Sequence, residues 1–314
     1  SPLGILGYNK NIVDTIYFQQ IENNIDDFIG LTIAVRDLFI HQDKIFISFT
    51  EEIKKNCWNT SVIYGNINYE SIIFNKLFSS RECANLHEID GFTVNQSGGR
   101  ILNFDDNHIL LSVGEFRARY LAQDKKSING KIIKINIHSG SHSIISMGHR
   151  NPQGLYFDKE NNFILETEHG PQGGDEINLI EVIKINEDKI QNFGWAVSSA
   201  GEHYKGKIQA NEIKYKKYPL YKSHSKYGFI EPLKSFVPSV AITSIIKINK
   251  KNYIVASLKD KSLYNFKLNN NNEIIDLKRV EIFERIRDIV YKNHILYLFL
   301  ENTASIGIID IKNL

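Results

Sequence analysis

The sequence predicts an all-β chain folded as a β-propeller, and three observations predict it. A polar turn running into a short apolar, β-branched or aromatic strand recurs five times along the 314 residues. A second strand follows most copies. Helical periodicity is weak throughout, which disfavours a doubly wound α/β fold. In chain order the copies are 41–49 (HQDKIFISF), 105–113 (DDNHILLSV), 159–165 (KENNFIL), 250–256 (KKNYIVA) and 292–298 (KNHILYL). The following strands are read at 131–137 (KIIKINI), 262–268 (SLYNFKL) and 306–310 (IGIID). A β-sandwich also strings short strands between turns. Units recurring at intervals of roughly 40 to 65 residues, with one longer gap, fit propeller blades carrying insertions better.

Residues 1–314 are read as one propeller domain, since all-β barrels and propellers commonly exceed the usual domain size, and 42% apolar residues supply a core. A net charge of +2, from 38 basic and 36 acidic side chains, gives no global attraction to nucleic acid or to an anionic membrane. No segment reaches the ~18 uninterrupted apolar residues of a membrane span. Cys57 and Cys83 flank an expected hairpin with strands near 60–66 and 71–77, so a disulfide between them is open, while a zinc site of the paired-cysteine type is excluded. A Lys/Tyr-rich stretch near 204–227 falls in the longest gap between repeats and reads as a solvated insertion. Basic groups interleaved with aromatics also suit a polyanion.

Chemistry concentrates in 148–155 (GHRNPQGL) and 168–178 (EHGPQGGDEIN), two loop-like segments separated by one strand. Glycines, a proline, a guanidinium and carboxylates crowd there, between β-rich sequence that would form a rigid scaffold. These segments resemble the soluble quinoprotein glucose dehydrogenases and aldose sugar dehydrogenases, the glucose/sorbosone dehydrogenase family. The resemblance runs from about Gly30 to the C-terminus and implies a six-bladed β-propeller that oxidises sugars at the anomeric carbon with pyrroloquinoline quinone (PQQ). Around 12–18, the N-terminal segment is expected to add a strand to the last blade.

Carried over residue by residue, the resemblance gives Arg150 and Asn151, Lys259 (in ASLK), and Arg285 and Arg287 (in ERIRD) to the quinone. A guanidinium suits a tricarboxylate because it grips carboxylate oxygens through two parallel hydrogen bonds. Gly170 and Pro171 would offer backbone carbonyls to a calcium ion, a hard cation that accepts such donors. Asp175 and Glu176 are expected to order that loop or to hold metal. Gln96, in QSGGR, stands where relatives carry the histidine base, and a carboxamide does not take up a proton near neutrality. Glu115 stands where relatives have aspartate and is the candidate substitute base. His87, in an unassigned loop, and His108, in a polar turn that reads as surface, are further base candidates, while His149 and His169 read as structural.

Two expectations follow. In the first the protein is a PQQ-dependent aldose dehydrogenase working through Glu115. In the second it is a catalytically inactive propeller that binds an anionic or sugar-like ligand, or a partner protein, in the retained pocket. The resemblance implies a periplasmic or otherwise exported location, although no charged-then-apolar leader opens this sequence.

Overall fold

A computed structural model describes residues 5–6, 22–28, 35–68, 70–85, 93–204 and 216–311. The chain divides into two compact units, one of Ile21–Ser239 and one of Val240–Leu314 together with Ser1–Gln20. Both are built from antiparallel sheets whose strands follow one another in sequence.

The larger unit holds three such sheets. The first runs Val35–His41, Lys44–Lys54, Cys57–Asn66 and Asn75–Phe78. The second runs Gly98–Asp105, His108–Val113, Lys131–Asn136 and His142–Met147, with Gln191–Asn192 added in parallel at its edge. In the third, Pro152–Asp158, Phe163–Glu168 and Asp175–Glu181 are joined by Lys234–Phe236. Apolar faces of successive sheets pack into cores, Phe46, Val62, Ile101, Leu111 and Ile133 in one and Leu110, Ile132, Leu155, Ile164 and Ile180 in the next. The smaller unit carries Ile242–Asn249, Asn252–Ser257, Ser262–Leu268 and Ile274–Glu281. Its second sheet is Ile286–Lys292, Ile295–Leu300 and Ser305–Asp310, and Ile5–Leu6 pairs with Ile308 and Ile309 at the edge. The expected strand at 12–18 lies outside the described residues.

The six blades implied by the resemblance are therefore corrected to five: the described residues form five sheets of four or five strands, plus a two-stranded ladder of Glu22–Asn23 with Ser71–Ile72. Each repeat read in the sequence is the turn and second strand of one of these five. A further blade would have to arise in the long gap after Glu181. The described residues there form a short helix, Val182–Asn186, and two edge strands that join sheets already built. The Lys/Tyr-rich stretch is partly packed rather than solvated, for Tyr218 is buried with Trp195 and Leu220.

Cys57 and Cys83 form a disulfide with their Cα atoms 5.3 Å apart, closing a loop with a sequence separation of 26. Loop-closure entropy for that length corresponds to about 3 kcal/mol. Replacing both cysteines by serine is expected to lower unfolding free energy by about that amount in urea titrations, and reductant is expected to lower the wild type equally.

Candidate functional site

Three loops of the larger unit meet at the strand ends, and main-chain hydrogen bonds lace them together. Gly114 N–H donates to Ser97 O at 2.8 Å, Phe116 N–H to Gln96 O at 3.0 Å, and Glu115 N–H to Arg150 O at 3.0 Å. Gly114 has no room for a side chain, because a Cβ there would strike the Gln96 carbonyl and the Gly98 amide. Asn151 Oδ1 accepts from Gly98 N–H at 3.2 Å, and its carbonyl accepts from His169 N–H at 3.1 Å. Asp175 orders the 170–175 loop, accepting from Gly170 N–H at 2.9 Å and from the Ser239 hydroxyl at 2.7 Å. The backbone after Glu115 turns through two left-handed residues, Phe116 (φ 52°) and Arg117 (φ 69°). That conformation is costly for side-chain-bearing residues and is held here by the surrounding bonds.

Arg150 occupies the centre and is 3% exposed. Its Nη1 donates to the carbonyls of His169 at 2.9 Å and Gly170 at 2.6 Å, and its Nη2 to the Tyr204 hydroxyl at 3.0 Å. Assigned by its partners, the Gln96 carboxamide accepts from Arg150 Nη2 at 2.7 Å and donates to Glu115 Oε1 at 2.7 Å. A carboxamide is suited to this place because it offers an acceptor to the donor-only guanidinium and a donor to the acceptor-only carboxylate. Gln96 and Glu115 are both buried, at 8% and 0% exposure.

Aromatic rings line the same centre. The Arg150 guanidinium lies 5.4 Å from the Trp195 ring and 5.7 Å from the Tyr204 ring; Arg117 also lies 5.7 Å from Tyr204, and Arg119 lies 5.2 Å from Trp195. Three buried N–H groups here, Arg117 Nε, Arg150 Nε and Trp195 Nε1, have no hydrogen-bond acceptor among the described residues. Arg117 and Trp195 were not among the residues singled out in the sequence. Tyr204 was read only as part of the Lys/Tyr-rich run. The signal available for Arg117 was its place two residues after Glu115, in a loop already under suspicion.

Behind Arg150 lies a second buried polar group. Glu168 Oε2 accepts from Arg150 N–H at 2.5 Å, and Asn178 Nδ2 donates to Glu166 at 3.0 Å and to Glu168 at 3.1 Å. His149 stacks on Phe193 with Nδ1 toward these carboxylates. Burial pushes the Glu166 carboxyl well above the usual range, with Glu168 adding repulsion, and burial pushes Glu176 up to about 7 against the opposing pull of His224.

The structure thus brings Gln96, Glu115, Arg150, Asn151, Gly170 and Pro171 into one unit. The other carried-over cations lie in the smaller unit. There Arg285 bonds Glu301 at 3.0 Å and Arg287 pairs with the same carboxylate, both near the surface, while Lys259 is exposed on the loop after Asn252–Ser257. His108 pairs with Asp105 at 2.8 Å in its turn. His87 lies outside the described residues.

Fold and site together define an all-β propeller chain with a buried arginine, glutamine and carboxylate at the meeting of its loops. The chain belongs to the Glucose / Sorbosone dehydrogenase family, whose sequence profile matches residues 30–308. It is 28% identical over 222 residues to an uncharacterized protein, slr1608, of Synechocystis sp., covering 61% of this chain and 50% of that one. It is 25% identical over 281 residues to the aldose sugar dehydrogenase YliI of Escherichia coli K12, covering 82% of this chain and 70% of that one. The chain thus spans about half the length of the first of these relatives. Among solved structures, the apo aldose sugar dehydrogenase of Escherichia coli shares the fold with a TM-score of 0.69 at 24% identity, over 85% of this chain and 78% of that one. A PQQ-bound aldose sugar dehydrogenase from Streptomyces coelicolor shares it with a TM-score of 0.59 at 19% identity, over 88% and 77%.

Replacing Arg150 by methionine strips four acceptors of their donor and is expected to cost at least about 3 kcal/mol of stability. Arg285→Ala and Arg287→Ala, which break near-surface pairs, are expected to cost under about 1 kcal/mol each. Chemical denaturation of the three variants checks the contrast.

Proposed function

We propose that this protein is a sugar dehydrogenase of the quinoprotein type, oxidising an aldose at its anomeric carbon with Glu115, not residue 96, accepting the hydroxyl proton. The observation that carries this reading is the set of buried N–H groups on Arg117, Arg150 and Trp195 that lack acceptors among the described residues, the two guanidiniums lying 5.4 to 5.7 Å from the Trp195 or Tyr204 ring. Unsatisfied buried donors are costly, and a planar ligand bearing carboxylate or carbonyl oxygens satisfies them. PQQ is such a ligand, and these residues fit it: Arg150 and Arg117 would hold its oxygens and Trp195 and Tyr204 would supply ring surface. When bound, the quinone supplies the two-electron acceptor for hydride leaving the sugar.

Calcium does not fit the arrangement at Gly170. That carbonyl accepts from Arg150 at 2.6 Å and the preceding one at 2.9 Å, so a dication at roughly 2.4 Å from Gly170 O would face a guanidinium across one oxygen atom.

In this chain the proton chemistry falls to Glu115. The Gln96 amide N–H donates to Glu115 Oε1 at 2.7 Å and fixes the carboxylate in place. With no imidazole at 96, turnover below that of a histidine base is expected, since a positioned general base is worth ~10²- to 10⁴-fold. The bonding of Gln96 on both sides favours the second reading, a propeller that binds the same ligands without turnover. The Cys57–Cys83 disulfide supports a periplasmic or otherwise exported location, where such bonds persist.

The full chain titrated with PQQ, with and without calcium, is expected to show quenching of Trp195 fluorescence without a calcium requirement. With aldoses and an artificial electron-accepting dye it is expected to show slow turnover that Glu115→Gln abolishes and Gln96→His raises by ~10²-fold or more. Quinone binding with no turnover in the wild type supports the second reading, and absence of quinone binding overturns the assignment of PQQ in both.

A further inference from the structure

The buried group behind Arg150 carries an inference independent of the quinone. His149, Glu166 and Glu168 each offer one ligand atom, and the three atoms lie within 4.8 Å of one another. His149 Nδ1 is 3.4 Å from Glu168 Oε1 and 3.8 Å from Glu166 Oε2. All three residues are fully or almost fully buried, at 0%, 0% and 3% exposure. We infer that His149, Glu166 and Glu168 form a binding site for a first-row divalent cation, zinc being the best match.

The geometry supports a small tetrahedral ion. Metal–ligand bonds of about 2.0–2.1 Å set ligand separations of about 3.4 Å in a tetrahedron, close to the distances seen. One imidazole with carboxylates is also a donor set for zinc or manganese rather than calcium, which takes six to eight oxygens. Glu166 and Glu168 sit two residues apart on Phe163–Glu168 and so project from the same face of that strand. Two buried carboxylates need compensating positive charge or a proton, and a dication neutralises both.

A second observation points to a ligand. Glu166 Oε1 is buried and has no hydrogen-bond partner among the described residues, although its sister oxygen is bonded by Asn178. Making Glu166 bidentate would supply the fourth donor atom. The outer contacts suit a metal site as well. His149 Nε2 lies 2.8 Å from Ser146 Oγ, which fixes the ring and leaves Nδ1 for the ion, while Asn178 Nδ2 holds a carboxylate oxygen of each glutamate. Glu176 and His224, 3.4 Å apart, are further titratable groups of this buried layer, and Glu176 adds to the repulsion on Glu166. Because Glu168 Oε2 also accepts from the Arg150 amide, an ion here would stiffen the loop that presents the guanidinium.

Full-length protein produced in zinc- and manganese-supplemented medium and dialysed without quinone is expected to retain one equivalent of metal by elemental analysis. Glu166→Gln, which keeps shape and removes charge, is expected to abolish retention. Ser146→Ala is expected to weaken zinc affinity by about 10-fold. Wild-type crystals are expected to show anomalous scattering at the zinc edge between His149 and Glu166, a readout that stands even when a variant fails to fold. Substoichiometric metal with no anomalous peak overturns the site. That result has no bearing on quinone binding, so it is distinguishable from failure of the proposed activity.

Discussion

One buried guanidinium constrains the whole loop side of the larger unit. Arg150 must place its hydrogen bonds inside the protein, and it does so by reaching two successive carbonyls, a tyrosine hydroxyl and the Gln96 carboxamide. These partners come from loops far apart in sequence, so burying the charge requires all of them at once. The backbone amide of the same residue is held from behind by Glu168. Arg150 therefore joins a polar centre facing the loops to an acidic layer beneath it, and the geometry of either depends on the other.

Much of the fold was legible because each sheet announces itself by one polar turn and one short apolar strand. The five repeats are the five sheets. The count of six came from resemblance, and it failed where the described residues between Glu181 and Val240 form no sheet of their own and add only edge strands to others. Periodicity cannot foresee that outcome, since a strand such as Lys234–Phe236 looks the same whether it begins a sheet or finishes one. The disulfide was open on sequence because cysteine spacing leaves Cα separation undetermined; strand pairing next to Cys57 decides it.

The candidate site was legible in part. Gln96, Glu115, Arg150, Asn151 and Gly170 were all named from their motifs, and they converge. The motifs did not disclose that Arg150 would take the Gly170 carbonyl, since that depends on side-chain reach across a turn. Arg117 escaped because its aim depends on left-handed backbone at 116 and 117, which neither residue type favours. Glu166 left a signal that could have been read. A charged residue in a strand otherwise apolar and buried on both faces needs a partner, and Phe163–Glu168 contains two.

The crowding at Gly114 has a consequence for how such a pocket changes over time. Main-chain bonds from 96–98 to 114–116 and from 115 to 150 fix the distances, and the missing Cβ at 114 permits the close approach. The side chains that reinforce that lattice, Thr60 at Ser97 O, Asn129 at Gly114 O and Asn151 at Gly98 N–H, are not those of 96 and 115, whose own side chains bond each other and Arg150 instead. A substitution at 96 therefore leaves the main-chain frame standing and is felt where the carboxamide bonds Arg150 and Glu115.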